Sequence, residues 1–92
     1  MNRNERNRVI QIVPTTGSSY QVCIQKGEML RLENKPHRVQ VIDGSAWLTL
    51  AGEDIILSDG EQTTLNPGAH PIIISCIKPA RQVILEVEVL DD

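Results

Sequence analysis

A chain of 92 residues has room for one small domain with a thin hydrophobic core. Hydrophobic residues make up 40% of it and charged residues 23%, a balance that disfavours disorder throughout, and no apolar run reaches the roughly 18 residues of a membrane-spanning helix. The formal net charge of −3, with one Trp, one Tyr and no Phe, argues against nucleic-acid binding, because a basic surface and a set of stacking rings are both missing.

The first eight residues, 1–8, carry three arginines and no apolar stripe, which predicts a flexible basic tail before a single β domain at 9–92. Their polar start does not resemble a signal peptide, so a cytoplasmic protein is expected. The rest of the chain alternates between runs rich in β-branched residues and turns rich in Gly, Pro and Asp. The predicted strands are 8–13, 20–24, 28–32, 37–42, 45–50, 53–57, 61–65, 71–77 and 81–90.

The clearest turn lies in the middle of the chain, where Asp43-Gly44 joins two alternating runs. Such a pair is a strong hairpin signal, because both central positions of the turn need positive φ. Turns at Gly52, Gly60 and Gly68 extend the hairpin into a predicted meander. No window has the spacing of an amphipathic helix, so the predicted fold class is all-β, either a small barrel or a two-sheet β-sandwich.

The run 71–77 is apolar on both of its faces, with Ile72 and Ile74 on one side and Ile73 and Ile77 on the other. If one face lines a barrel, the other is an aggregation-prone surface unless something covers it. The sequence therefore predicts self-association, with Ile73 and Ile77 at the interface of a homodimer. The long strand 81–90 is an alternative interface.

Residues 37–74 follow the order of strands and turns that is typical of the second half of a cupin barrel, ending in Asn66-Pro67-Gly68-Ala69-His70. Within this stretch, Gly44-Ser45-Ala46-Trp47-Leu48-Thr49 resembles the Gly-x-x-Trp-Leu-Thr signature of a family of small bacterial cupin-like proteins of unknown function. The resemblance covers 27–90 and implies a cupin-like double-stranded β-helix without a known activity. A typical cupin metal site takes two histidines and a glutamate from its first motif and one histidine from its second. By this resemblance His70 matches the second-motif histidine and His37 stands in the first motif, where Val39 occupies the place of the partner histidine.

The two histidines, His37 and His70, would need one of Glu33, Glu53 or Glu61 to complete even a reduced metal site. Each histidine flanks a proline at the border of a loop, so both are expected to be exposed to solvent. Neither a metal nor another cofactor is predicted. Cys23 and Cys76 lie in apolar runs without metal-ligand spacing and are predicted to be free, buried thiols.

Trp47, the only tryptophan, shares one strand face with Ser45 and Thr49. In one interpretation it anchors an interface or forms the wall of a ligand site at the barrel mouth with Thr49 and His70. In the other it is a structural plug at one end of the barrel, with its indole N–H bonded to a carbonyl oxygen. The second interpretation is favoured, because a chain without Phe needs its one large ring for packing.

Catalytic machinery is not predicted, because no serine stands in a nucleophile elbow and no Gly-rich phosphate loop is present. The favoured function is therefore a non-enzymatic binding or interaction module that forms homo-oligomers. The alternative is a degenerate cupin that binds a small molecule or a metal inside the barrel, possibly as an enzyme. A sensor for a sugar or an acid cannot be distinguished from the first by sequence.

Overall fold

The computed structural model describes residues 11–14, 17–50, 52–66, 71–77 and 81–90. These residues form strands and turns without any helix, so none of them could cross a bilayer as a helix. The predicted all-β class is confirmed. The border predicted between a tail at 1–8 and the domain at 9–92 lies outside the described residues. The strands are β1 (Gln11–Pro14), β2 (Ser19–Gln25), β3 (Met29–Leu32), β4 (His37–Asp43), β5 (Ser45–Leu50), β6 (Glu53–Ser58), β7 (Gln62–Leu65), β8 (Ile72–Cys76) and β9 (Gln82–Val89).

Two antiparallel sheets share one core. The five-stranded sheet has the order β1-β2-β9-β4-β7, and the four-stranded sheet has the order β3-β8-β5-β6. Alternate side chains of both sheets point inward, as the two-residue period of a strand requires. They fill the space between the sheets with aliphatic groups, all 7% exposed or less: Val22, Ile24, Leu32, Val39, Val41, Ala46, Leu48, Leu57, Leu65, Ile72, Ile74, Val83, Leu85 and Val87.

The hairpin predicted at Asp43-Gly44 is wrong, and of the predicted meander the structure contains the hairpin of β5 and β6 across Gly52 but not the pairing of β6 with β7. Strand β4 pairs with β7 and β9, whereas β5 pairs with β6 and β8, so the chain changes sheets at Gly44. Gly44 has φ +106°, and a Cβ there would lie 3.0 Å from the Gln82 carbonyl oxygen. Gly44 thus provides the positive φ of a bend between the sheets, and its lack of a Cβ allows β9 to approach closely. The local sequence does not distinguish such a bend from the reversal of a hairpin.

Eight of the nine described strands form two folded ribbons. In one ribbon, β2 and β3 run against β9 and β8; in the other, β4 and β5 run against β7 and β6. Each ribbon begins in the five-stranded sheet and bends into the four-stranded one. The pairs β4–β9 and β5–β8 then join the ribbons side by side.

The two ribbons bend with the same turn. Glu28 Oε1 accepts a hydrogen bond from the Gln25 backbone N–H at 2.8 Å, and Glu61 Oε1 accepts one from the Ser58 N–H at 2.7 Å. Each glutamate N–H donates back to the carbonyl oxygen of the same partner residue, at 2.9 Å. The sequences Gln25-Lys26-Gly27-Glu28 and Ser58-Asp59-Gly60-Glu61 therefore occupy equivalent places in the ribbons.

Candidate functional site

His37 lies inside the barrel rather than at an exposed loop edge, and the expectation of exposure is wrong for it. As the first residue of β4 it points inward in phase with Val39 and Val41, and only 2% of it is exposed. Its Nδ1 donates to the Lys35 carbonyl oxygen at 2.6 Å, which fixes the ring. His70 lies outside the described residues.

The donor set does not fit the metal site that a typical cupin carries. Val39, at the place of the first-motif partner histidine, is completely buried in the aliphatic core. Glu33 pairs with Lys35 at 3.6 Å, and Glu61 is engaged in its turn. Across the part of the chain that the structure describes, no three His, Cys, Asp or Glu side chains are grouped to hold a metal ion. No chemistry through a metal is derived for this barrel.

The outward-pointing residues of the four-stranded sheet, called the outer face below, form two rows across the strands. In the first row the register aligns Met29, Ser75, Trp47 and Ile56; in the second it aligns Arg31, Ile73, Thr49 and Asp54. The first row is strongly apolar and open to solvent, with Met29 66%, Trp47 45% and Ile56 62% exposed. A contiguous apolar surface of this kind on a small domain is typical of an interaction site.

Four of the residues singled out from the sequence meet on this face. Trp47 and Thr49 of β5 lie beside Ile73 of β8, and Ile77 follows β8, where its N–H donates to the Ser45 carbonyl oxygen at 3.3 Å. Ile73 and Ile77 are partly buried. Trp47 stands in the middle of the sheet and not at an end of the barrel, so it is not the predicted plug.

Sequence reasoning missed Met29 and Ile56. Ile56 follows Ile55 and precedes Leu57, so strand β6 is apolar on both faces, the same signal that identified Ile73. Met29 alternates with the inward Leu30, which is an ordinary strand pattern and does not indicate a site. Their place beside Trp47 depends on pairings between distant strands, which no local pattern indicates.

A hollow of about 530 Å³ lies over Ser75, between the larger side chains of Met29 and Trp47. Its wall also contains Cys76, whose thiol pKa is raised by burial and further by nearby Cys23. A raised thiol pKa leaves little nucleophilic thiolate near neutral pH. Neither Cys23 nor Cys76 is in a disulfide, but both are partly exposed, so the prediction of buried thiols is wrong. The hollow therefore offers apolar contact and no evident catalytic group. Its lining is Gly27, Glu28, Met29, Trp47, Ser75, Cys76 and Ile77.

Opposite charges flank the outer face. Arg31 on β3 is exposed and has no ion-pair partner among the described residues. Asp54 on β6 is exposed too, and its Oδ1 accepts a hydrogen bond from Thr49 Oγ1 at 3.4 Å. Because β3 and β6 are the two edges of the sheet, the cation and the anion stand at opposite ends of the second row.

A second hollow, of about 370 Å³, lies where β3 ends and is lined by Arg31, Leu32, Glu33, Asn34 and Pro71. Trp47 does not line this hollow. The ligand site predicted at the barrel mouth from Trp47, Thr49 and His70 stays a prediction, because His70 lies outside the described residues. The half-buried Tyr20 is near this end of β3: burial raises the pKa of its phenol above 10.0, and the Glu33 carboxylate raises it further.

Comparison with known proteins supports the fold and leaves the function open. No family model and no curated protein sequence matches the chain. Among solved structures, it is similar to the Cupin_2 domain of an XRE family transcriptional regulator from Enterobacter cloacae, with a TM-score of 0.72 and 14% identity over 91% of this chain and 96% of that one. An HTH_3 family transcriptional regulator from Vibrio cholerae gives 0.67 and 9%, over 90% of this chain and 51% of that one. A de novo designed double-stranded β-helix gives 0.63 and 16%, over 76% and 95%.

These similarities establish a cupin-like double-stranded β-helix, as the sequence resemblance implied. At such low identity they carry the fold alone, because one fold hosts many functions. The six-residue signature around Trp47 and its bacterial family stay predictions.

Proposed function

We propose that this protein is a non-enzymatic interaction module that self-associates through the outer face of its four-stranded sheet, with the barrel as a filled scaffold. The observation that carries the proposal is the exposed row of Met29, Trp47 and Ile56 on a sheet whose inner side is packed with aliphatic groups. The predicted interface residues Ile73 and Ile77 extend the same surface.

The free energy available from covering this row is substantial. Complete burial of one large apolar side chain contributes about 1.5–3 kcal/mol, and these three are about half exposed or more. Covering them would contribute about 1–2 kcal/mol each before the cost of ordering two copies. A tryptophan at the centre of such a surface is a typical anchor residue.

The alternative, a ligand or a metal inside the barrel, has less support. The described interior is occupied by aliphatic side chains, and the one histidine there is bonded to a backbone carbonyl oxygen.

The proposal predicts that Ile56→Ser abolishes self-association at micromolar concentrations, whereas Ile42→Ser does not. Both isoleucines are exposed, at 62% and 44%, but Ile42 lies on β4 in the other sheet. Each dimer loses two covered isoleucines, about 1–2 kcal/mol each, so the dimer should weaken by roughly 30- to 1,000-fold. Sedimentation equilibrium of the wild type and both variants gives the answer. A wild type that stays monomeric into the upper micromolar range, or equal effects of both changes, would contradict the proposal.

A further inference from the structure

We infer that the partner on the outer face is a second copy of this chain, related by a two-fold axis that lies parallel to the strands between β8 and β5. The inference rests on the proposed function and specifies its geometry. Two identical sheets that pack face to face must be related by an axis in the plane between them, and its direction decides which residues meet.

An axis parallel to the strands exchanges β3 with β6 and β8 with β5, and it keeps each row opposite itself. Each Arg31 then faces the partner's Asp54, so the dimer contains two equivalent ion pairs. Each Met29 faces the partner's Ile56. Arg31, which has no ion-pair partner within the described residues, and the exposed Asp54 stand at opposite ends of one row. They are the charge complementarity that this arrangement needs.

Shape points to the same axis. In the first row, Trp47 and Ser75 are neighbours on the two central strands. The rotation places each Trp47 over the partner's Ser75, which is where the hollow of about 530 Å³ lies. A large ring thus meets a small side chain twice, once on each side of the axis.

The other in-plane axis, perpendicular to the strands, is unfavourable because it would bury charged side chains without a counterion. It keeps each strand opposite itself and exchanges the two rows. Arg31 would then face the partner's Met29, and Asp54 would face the partner's Ile56, so that both charges would lose water without gaining a counterion.

The area of the outer face determines the expected affinity of the dimer. Four strands at ~4.8 Å spacing and about six residues at ~3.3 Å give roughly 400 Å² of sheet per copy. A total of ~800 Å² is below the roughly 1,200–2,000 Å² of stable specific interfaces and is the size expected of a weak, transient dimer. The dimer is therefore expected to be reversible, with a dissociation constant in the micromolar range.

Charge reversal tests the axis. In the parallel arrangement, Arg31→Asp places two carboxylates against each other at both ends, and Asp54→Arg does the same with two cations, so each variant alone should dimerise at least ~10-fold more weakly. An equimolar mixture of the two variants should recover near-wild-type association as a heterodimer, because both ends regain opposite charges. The double variant R31D/D54R should recover a homodimer for the same reason.

Sedimentation equilibrium in low salt distinguishes the outcomes, with circular dichroism to verify folding. Arg38→Asp is the matched control: it makes the same change of net charge on the other sheet, at the expense of the Arg38–Glu88 ion pair, and should leave dimerisation unchanged. Charge variants that dimerise like the wild type, or a mixture that stays monomeric, would overturn the two-fold arrangement. If the charge variants overturn this arrangement but Ile56→Ser still dissociates the protein, self-association through the outer face is retained and only the direction of the axis is wrong. A monomeric wild type would contradict both the proposed self-association and the two-fold arrangement.

Discussion

At the scale of single residues, Gly44 shows how one position serves both backbone geometry and packing. Its φ of +106° is unfavourable for any residue with a Cβ, and the Gln82 carbonyl oxygen and Val83 Cα would lie 3.0 and 3.3 Å from such an atom. Gly52 also has positive φ, +85°, but nothing lies within 4 Å of its would-be Cβ. A comparison of substitutions at the two glycines therefore separates the effect of backbone strain from the effect of close approach.

We predict that Gly44→Ala lowers the free energy of unfolding by about 2–4 kcal/mol, and Gly52→Ala by about 1–2 kcal/mol. Strain acts in both variants, whereas only Gly44→Ala pushes β9 away from the bend. Urea unfolding followed by circular dichroism measures both values. Equal losses would show that the approach of β9 to Gly44 does not matter.

The only tyrosine, Tyr20, makes stability fall at alkaline pH. Burial raises the pKa of its phenol above 10.0 in the folded state, with a further rise from Glu33. Between pH 10.0 and the folded-state pKa, the unfolded chain loses the proton first, so unfolding becomes easier. The contribution is fully present below pH 10.0 and is lost as the pH rises through the folded pKa.

The ultraviolet absorbance of the phenolate follows this ionisation directly. The native protein should titrate at higher pH than the same protein in concentrated urea. Glu33→Gln should move the native midpoint part of the way back, because burial remains as the larger cause. Coincident native and denatured midpoints would refute the assignment.

At the scale of elements, alternation of apolar and polar residues was sufficient to predict the nine strands and the all-β class. The hairpin of β5 and β6 was predictable from its turn, but the pairing of strands distant in the chain was not. The Asp43-Gly44 pair has the residues of a hairpin, yet β4 pairs with the distant β9, because a bend and a reversal both need positive φ.

The residues of the candidate site were likewise predictable only where a local pattern indicated them. Two-sided apolar runs identified Ile73 and Ile77, and the singular Trp47 drew attention to its own face. Only the register of β3 with β8, and of β5 with β6, brings Met29 and Ile56 beside them. His37 was misplaced because its proline neighbour suggested a loop, whereas β4 already begins at that residue and turns it inward.

The two equivalent ribbon turns predict an element-scale effect of Glu61. Its carboxylate holds the Ser58 N–H at 2.7 Å where the second ribbon bends. Glu61→Ala should therefore lower the free energy of unfolding by about 1 kcal/mol, the size of a lost capping bond. Glu53→Ala is the control, since Glu53 is exposed and makes no side-chain hydrogen bond within the described residues. Thermal unfolding of both variants tests this, and a Glu61→Ala protein as stable as the control would contradict it.

At the scale of the whole molecule, the described interior of the barrel is filled with aliphatic side chains, so the surface is the better candidate for a functional site. The same fold occurs in a designed protein and in regulatory proteins, so the barrel itself implies no chemistry. The feature of this chain that supports a function at the surface is the outer face, with its apolar row and its flanking opposite charges.

The central claim, that the outer face is covered by a second copy, is tested most directly by the fluorescence of Trp47, the only tryptophan in the chain. Acrylamide quenching is measured over a series of protein concentrations through the micromolar range, with Ile56→Ser as the monomeric reference. Trp47 is 45% exposed in the single chain. Its quenching should fall as concentration rises, while the reference stays constant. Quenching of the wild type that is the same at every concentration would contradict the claim.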